Sequence, residues 1–546
     1  MSIAFDPFAR DHLPPKEQWP DLIFDRPELQ YPDRLNCAVE LLDRVVDDGD
    51  GDRTCLISPA GVWTYADLQA AVNRIARVLV EDYGLIPGNR VLLRAANNPM
   101  MVACYFAVLK AGGVVVATMP LLRAKELTVI ADKAEIRLAL CDARLAAEMQ
   151  ATVAAAATLT TLVTFRGDRL GTVVAAEGPD VLEARMATKP ALFTAYDSAA
   201  DETCLIAFTS GTTGKPKGTM HFHRDMLAIC DCFPRHILRA HRDDVFCGSP
   251  PLAFTFGLGG LVLFPMRVRA AGLLLEKAGP QDLLDGIATH RATVCFTAPT
   301  AYRAMIDRLD GADITSLKRC VSAGETLPKP TWEAFFAATG IKIIDGIGAT
   351  ELLHIFISAS GDDIRPGATG KAVPGYEAKV VDEDFNEVPR GTVGKLAVRG
   401  PTGCRYLADA RQTDYVREGW NLTGDAYLQD ADGYFHYQAR TDDMIISSGY
   451  NIAGPEVETA LLAHPMVKEC AVVGSPDPDR GSVVHAYIVP RDTIQDSAAE
   501  TKALQDFVKQ EIAPFKYPRR ITFVDTLPRT ETGKVQRFRL RQDPSA

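Results

Sequence analysis

The sequence predicts an α/β protein: a large N-terminal domain of layered α/β sheets plus a small β-barrel, followed by a small α+β C-terminal domain. Three observations carry that prediction. Apolar runs suited to buried strands alternate with helical patterns as far as Gly346, which implies layers built on largely parallel sheets. After about residue 365 the texture changes to short β-prone runs separated by Gly, Pro and Asp, the pattern of a small antiparallel barrel or sheet. A final unit begins near Arg440 and spans about a hundred residues, an ordinary domain size. The domains are accordingly set at 1–440 and 441–546.

In chain order, Tyr65 to Glu81 reads as a helix and Arg90 to Ala95 as a buried strand. Met100 to Pro120 is the best candidate for a membrane span, but Lys110 and the pair Gly112-Gly113 interrupt it. A buried helix (Met101 to Lys110), a turn and a buried strand (Val114 to Thr118) are predicted instead. Arg137 to Cys141, Leu205 to Thr209, Val294 to Ala298 and Ile343 to Gly346 continue the strands. The alanine-rich Ala146 to Ala157 reads as a surface helix. Glu377 to Asp382 and Gly394 to Gly400 belong to the antiparallel part. The last unit carries helices at Pro455 to Ala463 and Ala503 to Glu511, with strands near Glu469 to Gly474 and Val484 to Pro490.

Length and composition bound the function. A chain of 546 residues exceeds one ordinary core, and 47% hydrophobic with 24% charged residues is typical of a soluble globular enzyme. A net charge of −11 argues against nucleic acid as the main partner. The N-terminus lacks a basic stretch followed by an apolar one, so no signal peptide is read and a cytoplasmic location is expected. Twelve cysteines are scattered without zinc-type spacing, so reduced thiols packed as small hydrophobes are expected. His221 and His223 could share a strand face, but no third ligand stands nearby in sequence, and packing is the expected role.

The most informative stretch is Thr209-Ser-Gly-Thr-Thr-Gly-Lys-Pro-Lys-Gly218. After an apolar strand it concentrates the hydroxyls of Thr209, Ser210, Thr212 and Thr213, the glycines Gly211 and Gly214, and the cations of Lys215 and Lys217. Such a loop can offer backbone N–H groups, hydroxyls and charge to a polyphosphate. It is not a Walker A loop: Gly211 and Gly214 stand too close, and Lys215 is followed by Pro216.

Three further constellations follow: Asp345-Gly-Ile-Gly-Ala-Thr-Glu351; Thr423-Gly-Asp425 with Arg440-Thr-Asp-Asp443; and Pro528-Arg-Thr-Glu-Thr-Gly-Lys-Val-Gln-Arg537. In isolation each reads as a turn or a solvated tail. In this order they resemble the adenylate-forming superfamily of acyl-CoA synthetases, peptide-synthetase adenylation domains and firefly luciferase. The resemblance implies an N-terminal adenylation core that binds ATP through residues 209–215, Lys217, Gly324, Glu325, Asp345, Gly346, Ile347, Gly348, Thr350, Asp425 and Arg440. It implies that Thr350 hydrogen-bonds the α-phosphate and that Glu351 ligates Mg²⁺, a hard cation suited to carboxylate and phosphate oxygens. Asp425 would accept the ribose hydroxyls, reinforced by Arg440. Ile347 departs from the aromatic residue usual in the family. Lys534 would be the catalytic lysine, bridging the attacking carboxylate and the α-phosphate as charge develops. The C-terminal domain would be mobile, swivelling at Asp442 so that Ser448 and Gly449 line a pantetheine tunnel.

The run Thr350-Glu-Leu-Leu-His-Ile-Phe356 particularly resembles benzoate-CoA ligases. That likeness implies an acyl pocket formed by Phe254, Thr255, Phe256, Ala323, Gly324, His354 and Ile355, a flat apolar slot suited to a ring. Two positions depart from the benzoate pattern: Thr255 stands where alanine is usual and Phe256 where tyrosine is usual. A threonine hydroxyl there could pair with an amino or hydroxyl group ortho to the carboxylate, or could simply pack its methyl. The expected function is therefore an aryl acid–CoA ligase using ATP, Mg²⁺ and CoA, with 2-aminobenzoate the first choice of acid. The alternatives are a stand-alone aryl-acid adenylation enzyme that loads a carrier protein, a ligase for another acid, and a non-catalytic sensor. The carrier-loading enzymes usually place an asparagine within the segment matching Leu252 to Phe256, and none stands here. The sensor predicts loss of Lys534, Glu351 or Asp425, and all three are present. The expected partners are small molecules, without nucleic acid or membrane, and a homodimer is a candidate assembly.

Overall fold

The computed structural model describes residues 5–167, 181–209, 216–447, 450–477, 481–494, 497–529 and 535–542. Among them, two large sheets dominate. A six-stranded sheet runs Thr161–Phe165, Leu138–Asp142, Arg90–Arg94, Val114–Thr118, Thr203–Thr209 and Lys217–Phe222, parallel except for its last pair. A nine-stranded sheet has a parallel centre, Ile343–Gly348, Arg319–Ser322, Val294–Thr297, Val245–Gly248, Ala271–Leu273 and Thr54–Ser58, with antiparallel pairs at both ends. The alternation of strands and helices thus produces the layered, largely parallel architecture the pattern predicts.

Between the layers lies the helix Pro99–Lys110, whose twelve residues are all buried. Asn98 caps it by accepting the Met101 N–H at 3.0 Å, and Pro99 begins it where no N–H is needed. Lys110 closes it inside the protein. A buried ammonium must be paired, and Lys110 donates to Asp43 at 2.7 Å and to Asn73 at 2.6 Å. The apolar stretch is therefore a core helix and strand, and no helix of the described residues is long and apolar enough to cross a membrane. The first long helix, Tyr65–Arg77, opens on a capping box between Thr64 and Asp67 and continues as a π-turn to Asp82.

The antiparallel part is a five-stranded sheet of Glu377–Val381, Val393–Arg399, Trp420–Gln429, Val416–Arg417 and Phe435–Arg440. Beyond it, Val467–Asp477, Gly481–Pro490 and Arg520–Phe523 form a three-stranded sheet flanked by helices Gly454–Leu462 and Ser497–Glu511. The second helix starts earlier than Ala503 because Ala498 and Ala499 are strong helix formers. Ala146–Ala155 is a surface helix burying only Met149 and Thr152.

Candidate active site

The phosphate-type loop is carried by an antiparallel hairpin, in which Thr209 pairs with Lys217 across its open end. The intervening Ser210, Gly211, Thr212, Thr213, Gly214 and Lys215 lie outside the described residues. A segment far along the chain adds itself to the outer strand of this hairpin: Met220 donates its N–H to the Arg405 carbonyl and Leu407 to that of Gly218, both at 2.8 Å. The anchor is a fully buried ion pair between Arg405 and Asp225, with the guanidinium 3.8 Å from the centre of the Phe222 ring. This pairing brings Tyr406 beside Lys217. The Lys217 ammonium donates to the Tyr406 hydroxyl at 3.1 Å, and that hydroxyl donates to Glu351 Oε1 at 2.5 Å. His221, on the same strand as Lys217, meets the Thr350 carbonyl through Nε2 at 2.8 Å. The phosphate hairpin and the Thr350–Glu351 turn are therefore joined twice.

Thr350–Leu352 is a single 3-10 turn that ends at Leu353, whose φ of 70° is a left-handed conformation costly for a branched side chain. The reversal sends His354 and Ile355 away from Glu351 into the next strand. The glycines upstream are explained by this strand. A Cβ on Gly346 would sit 2.8 Å from the Ile355 side chain, and one on Gly348 would sit 2.7 Å from the His354 carbonyl. Asp345 lies opposite Ser322 in the parallel sheet, so it stands at the carboxyl ends of neighbouring strands, where open α/β sheets bind ligands. Its Oδ1 is sealed from solvent and makes no hydrogen bond, and burial pushes the carboxyl up to about 8 despite the opposing Gly346 N–H. Ile347 is half-buried and pairs with Ile357.

Asp425 and Arg440 face each other across adjacent strands, with Arg440 Nη1 3.0 Å from both Asp425 Oδ1 and the Thr423 carbonyl. Gly424, at φ 75°, leaves room for that guanidinium: a Cβ would come 2.7 Å from Arg440 Nη2. Tyr427, fully buried, has its hydroxyl pushed far above its usual range by burial and then by the charges of Asp425 and Asp345.

On the other side of the Leu353 reversal, Phe254 precedes a short helix, Thr255–Leu258, in which Thr255 is buried and Phe256 half-buried. His354 sits among Phe233, Phe256, Phe264 and Phe296, with ring-centre distances of 6.0, 5.6, 4.4 and 6.4 Å. Gly259 is the floor of this box, where a Cβ would meet the imidazole at 2.3 Å. Neither His354 ring nitrogen makes a well-formed hydrogen bond, and burial lowers its pKa to about 3 despite the opposing influence of the Phe256 backbone, so the ring is neutral. Ala323 and Ile355 are buried. Gly324 is exposed in a left-handed turn at φ 89°, with Glu325 half-buried beside it.

The remaining expected residues fall in the last unit. Asp442 belongs to the 3-10 turn Thr441–Asp443 directly after Arg440. Ser448, Gly449 and Lys534 lie outside the described residues. The flanks of the lysine segment are held, however: Arg529 and Val535 form an antiparallel bridge, and Arg537 pairs with both oxygens of Glu458 at 2.7 and 2.9 Å.

Tyr406, Phe233, Phe264 and Phe296 were not expected from sequence, because only pairing between distant segments brings them to the site. The two histidines correct an expectation. His223 is the first residue of helix His223–Phe233 rather than a strand residue, so it leaves the His221 face. Cys37 and Cys204 then supply the neighbours that sequence spacing did not show.

Comparison with known proteins agrees with this arrangement. Residues 43–406 match the family described as AMP-binding enzyme, and residues 456–534 match the AMP-binding enzyme C-terminal domain. A benzoate–CoA ligase of Thauera aromatica is 35% identical over 521 residues, covering 94% of this chain and 97% of the relative. A 3-hydroxybenzoate–CoA ligase of Aromatoleum sp. (strain CIB) is 31% identical, covering 93% and 97%. Among solved structures, the anthranilate CoA ligase AuaEII in complex with anthranoyl-AMP superposes with a TM-score of 0.88 at 32% identity, covering 95% of this chain and 98% of that one.

Proposed function

The chain belongs to the AMP-binding enzyme family, as an AMP-forming acid–thiol ligase of the aryl-CoA kind, and we propose that its acid is 2-aminobenzoate. In the proposed reaction the carboxylate attacks the α-phosphorus of ATP to give aryl-AMP and pyrophosphate, and the thiol of CoA then displaces AMP. The observation that carries the reading is His354. A neutral imidazole buried among four phenylalanine rings, with no well-formed hydrogen bond and only the Phe256 backbone near it, is a polar group that a bound ligand could pair. Rings on every side favour a flat aromatic acid over a flexible chain. The buried Thr255 next to Phe256 offers a hydroxyl suited to an ortho amino group, and the fold of a ligase solved with anthranoyl-AMP supports that choice.

The proposed roles follow from position. Thr209, Lys217 and the loop between them hold the β- and γ-phosphates, and Thr350 contacts the α-phosphate. Asp425, positioned by Arg440, accepts the ribose hydroxyls. The Glu351 carboxylate, mostly buried and held by Tyr406, fits a hard cation. When bound there, Mg²⁺ neutralises charge on the phosphate oxygens. Lys534 bridges the two anions during the first step, and a swivel at Asp442 brings Ser448 and Gly449 to the site for the second.

The test is pyrophosphate release across benzoate, its ortho, meta and para amino and hydroxy derivatives, and short and medium fatty acids, with and without CoA. Highest kcat/KM for 2-aminobenzoate, with its CoA thioester formed, is expected. A fatty acid outperforming every aromatic acid overturns the aryl reading, and pyrophosphate release without thioester would make it a carrier-loading enzyme.

A further inference from the structure

Away from the candidate active site, at the base of the phosphate hairpin, three side chains from separate segments converge. Cys37 lies in the N-terminal part of the chain, Cys204 near the start of the inner hairpin strand, and His223 immediately after the outer one. Their ligand atoms all lie within 4.8 Å of one another, and the three residues are buried, both cysteines completely. His223 Nδ1 accepts the Cys37 backbone N–H at 3.2 Å and stands 3.1 Å from Cys37 Sγ, so a metal bound through this nitrogen would replace that long hydrogen bond.

A second observation points to the same place. Tyr105, on the buried core helix, is 2% exposed and its hydroxyl has no hydrogen bond. The sulfurs of Cys204 and Cys37 act on this hydroxyl electrostatically. This sealed, unpaired oxygen is a further polar group within electrostatic reach of both sulfurs.

We propose that Cys37, Cys204 and His223 form a structural zinc site. Two thiolates and an imidazole are a donor set that selects a thiophilic d¹⁰ cation over Mg²⁺ or Ca²⁺. Binding releases the thiol protons and forms two sulfur–metal bonds and one nitrogen–metal bond, with no change in oxidation state. Because Cys204 sits on the inner strand of the hairpin and His223 directly follows the outer one, the metal fastens both strands at the end remote from Thr209 and Lys217, and Cys37 ties them to the N-terminal segment. It acts by holding the phosphate hairpin and takes no part in the chemistry.

The test is expression of the full chain in minimal medium supplemented with Co²⁺ in place of Zn²⁺, followed by metal analysis and absorption spectroscopy of the native protein. About one cobalt per chain with a thiolate-to-cobalt charge-transfer band is expected, as for a closed site with cysteine ligands. Cys37→Ala should lose the band and the metal, whereas Cys230→Ala, which removes a buried thiol outside the cluster, should keep both. Native chain free of metal, cobalt without a thiolate band, or mass spectrometry showing a Cys37–Cys204 disulfide would each overturn the proposal. The wild-type measurement decides the matter even where a cysteine variant fails to fold.

Discussion

Tyr406 donates its hydroxyl to Glu351 at 2.5 Å while accepting from Lys217 at 3.1 Å, so a residue outside every recognised motif links the phosphate loop to the proposed magnesium carboxylate. A hydrogen bond to a charged group is worth about 1.5–3 kcal/mol. Tyr406→Phe should therefore raise the Mg²⁺ concentration needed for half-maximal adenylation by about tenfold or more, since ~1.4 kcal/mol is tenfold in an equilibrium. KM for the aromatic acid should stay nearly constant. Equal changes in both constants would make Tyr406 a packing residue only.

Lys534 stands in a segment whose two flanks pair through Arg529 and Val535 and whose downstream end is tied by Arg537 to Glu458. Lys534→Ala should slow aryl-AMP formation about a hundredfold or more, the scale set by removing one preorganised charge. Thioester formation from supplied aryl-AMP should change little. Stopped-flow measurement of the two half-reactions separates them, and equal damage to both would assign the segment another role.

Much of the architecture is legible in the chain because it rests on local pattern. Val114–Thr118 appears as read, and Pro99–Lys110 is helical throughout its apolar run. Short strands such as Ala271–Leu273 and Arg319–Ser322 escape because three or four residues carry too little periodicity. In the site, Glu351, Asp425 and His354 are readable because each lies in a contiguous motif. Tyr406 depends on a pairing between residues near 219 and 406, and the aromatic box depends on three helical segments and a strand meeting. The cluster of Cys37, Cys204 and His223 likewise joins segments whose spacing carries no signal.

His354 gives a pH prediction for stability. Its pKa falls from 6.5 to about 3 on folding, so the unfolded chain binds the proton more readily. Its contribution is fully present above about pH 6.5, the unfolded value, and is lost as pH falls toward 3. His354→Leu removes the titration, so wild-type stability should fall relative to the variant as pH drops from 6.5 to 4 in denaturant titrations. The same variant should lose activity at pH 7.5, where His354 is neutral and protonation plays no part. A constant stability difference across that range would mean the imidazole is not sealed from water.

Thr255 decides the choice between 2-aminobenzoate and benzoate. It is buried at the start of a short helix whose next residue, Phe256, packs against His354, and the proposal assigns its hydroxyl to the ring slot. Thr255→Val preserves the branched shape and removes only the hydroxyl. One neutral hydrogen bond is worth about 0.5–1.5 kcal/mol, and more when a buried partner is stranded. The kcat/KM for 2-aminobenzoate should therefore fall by roughly three- to tenfold, while that for benzoate holds or rises, because the unsubstituted ring leaves the hydroxyl unpaired in the native site. The ratio between the two acids is the quantity to measure, since general damage to folding cancels in it. A ratio unchanged by the substitution would show that Thr255 contributes only its methyl group, and selectivity for an ortho amino group would then have to come from His354.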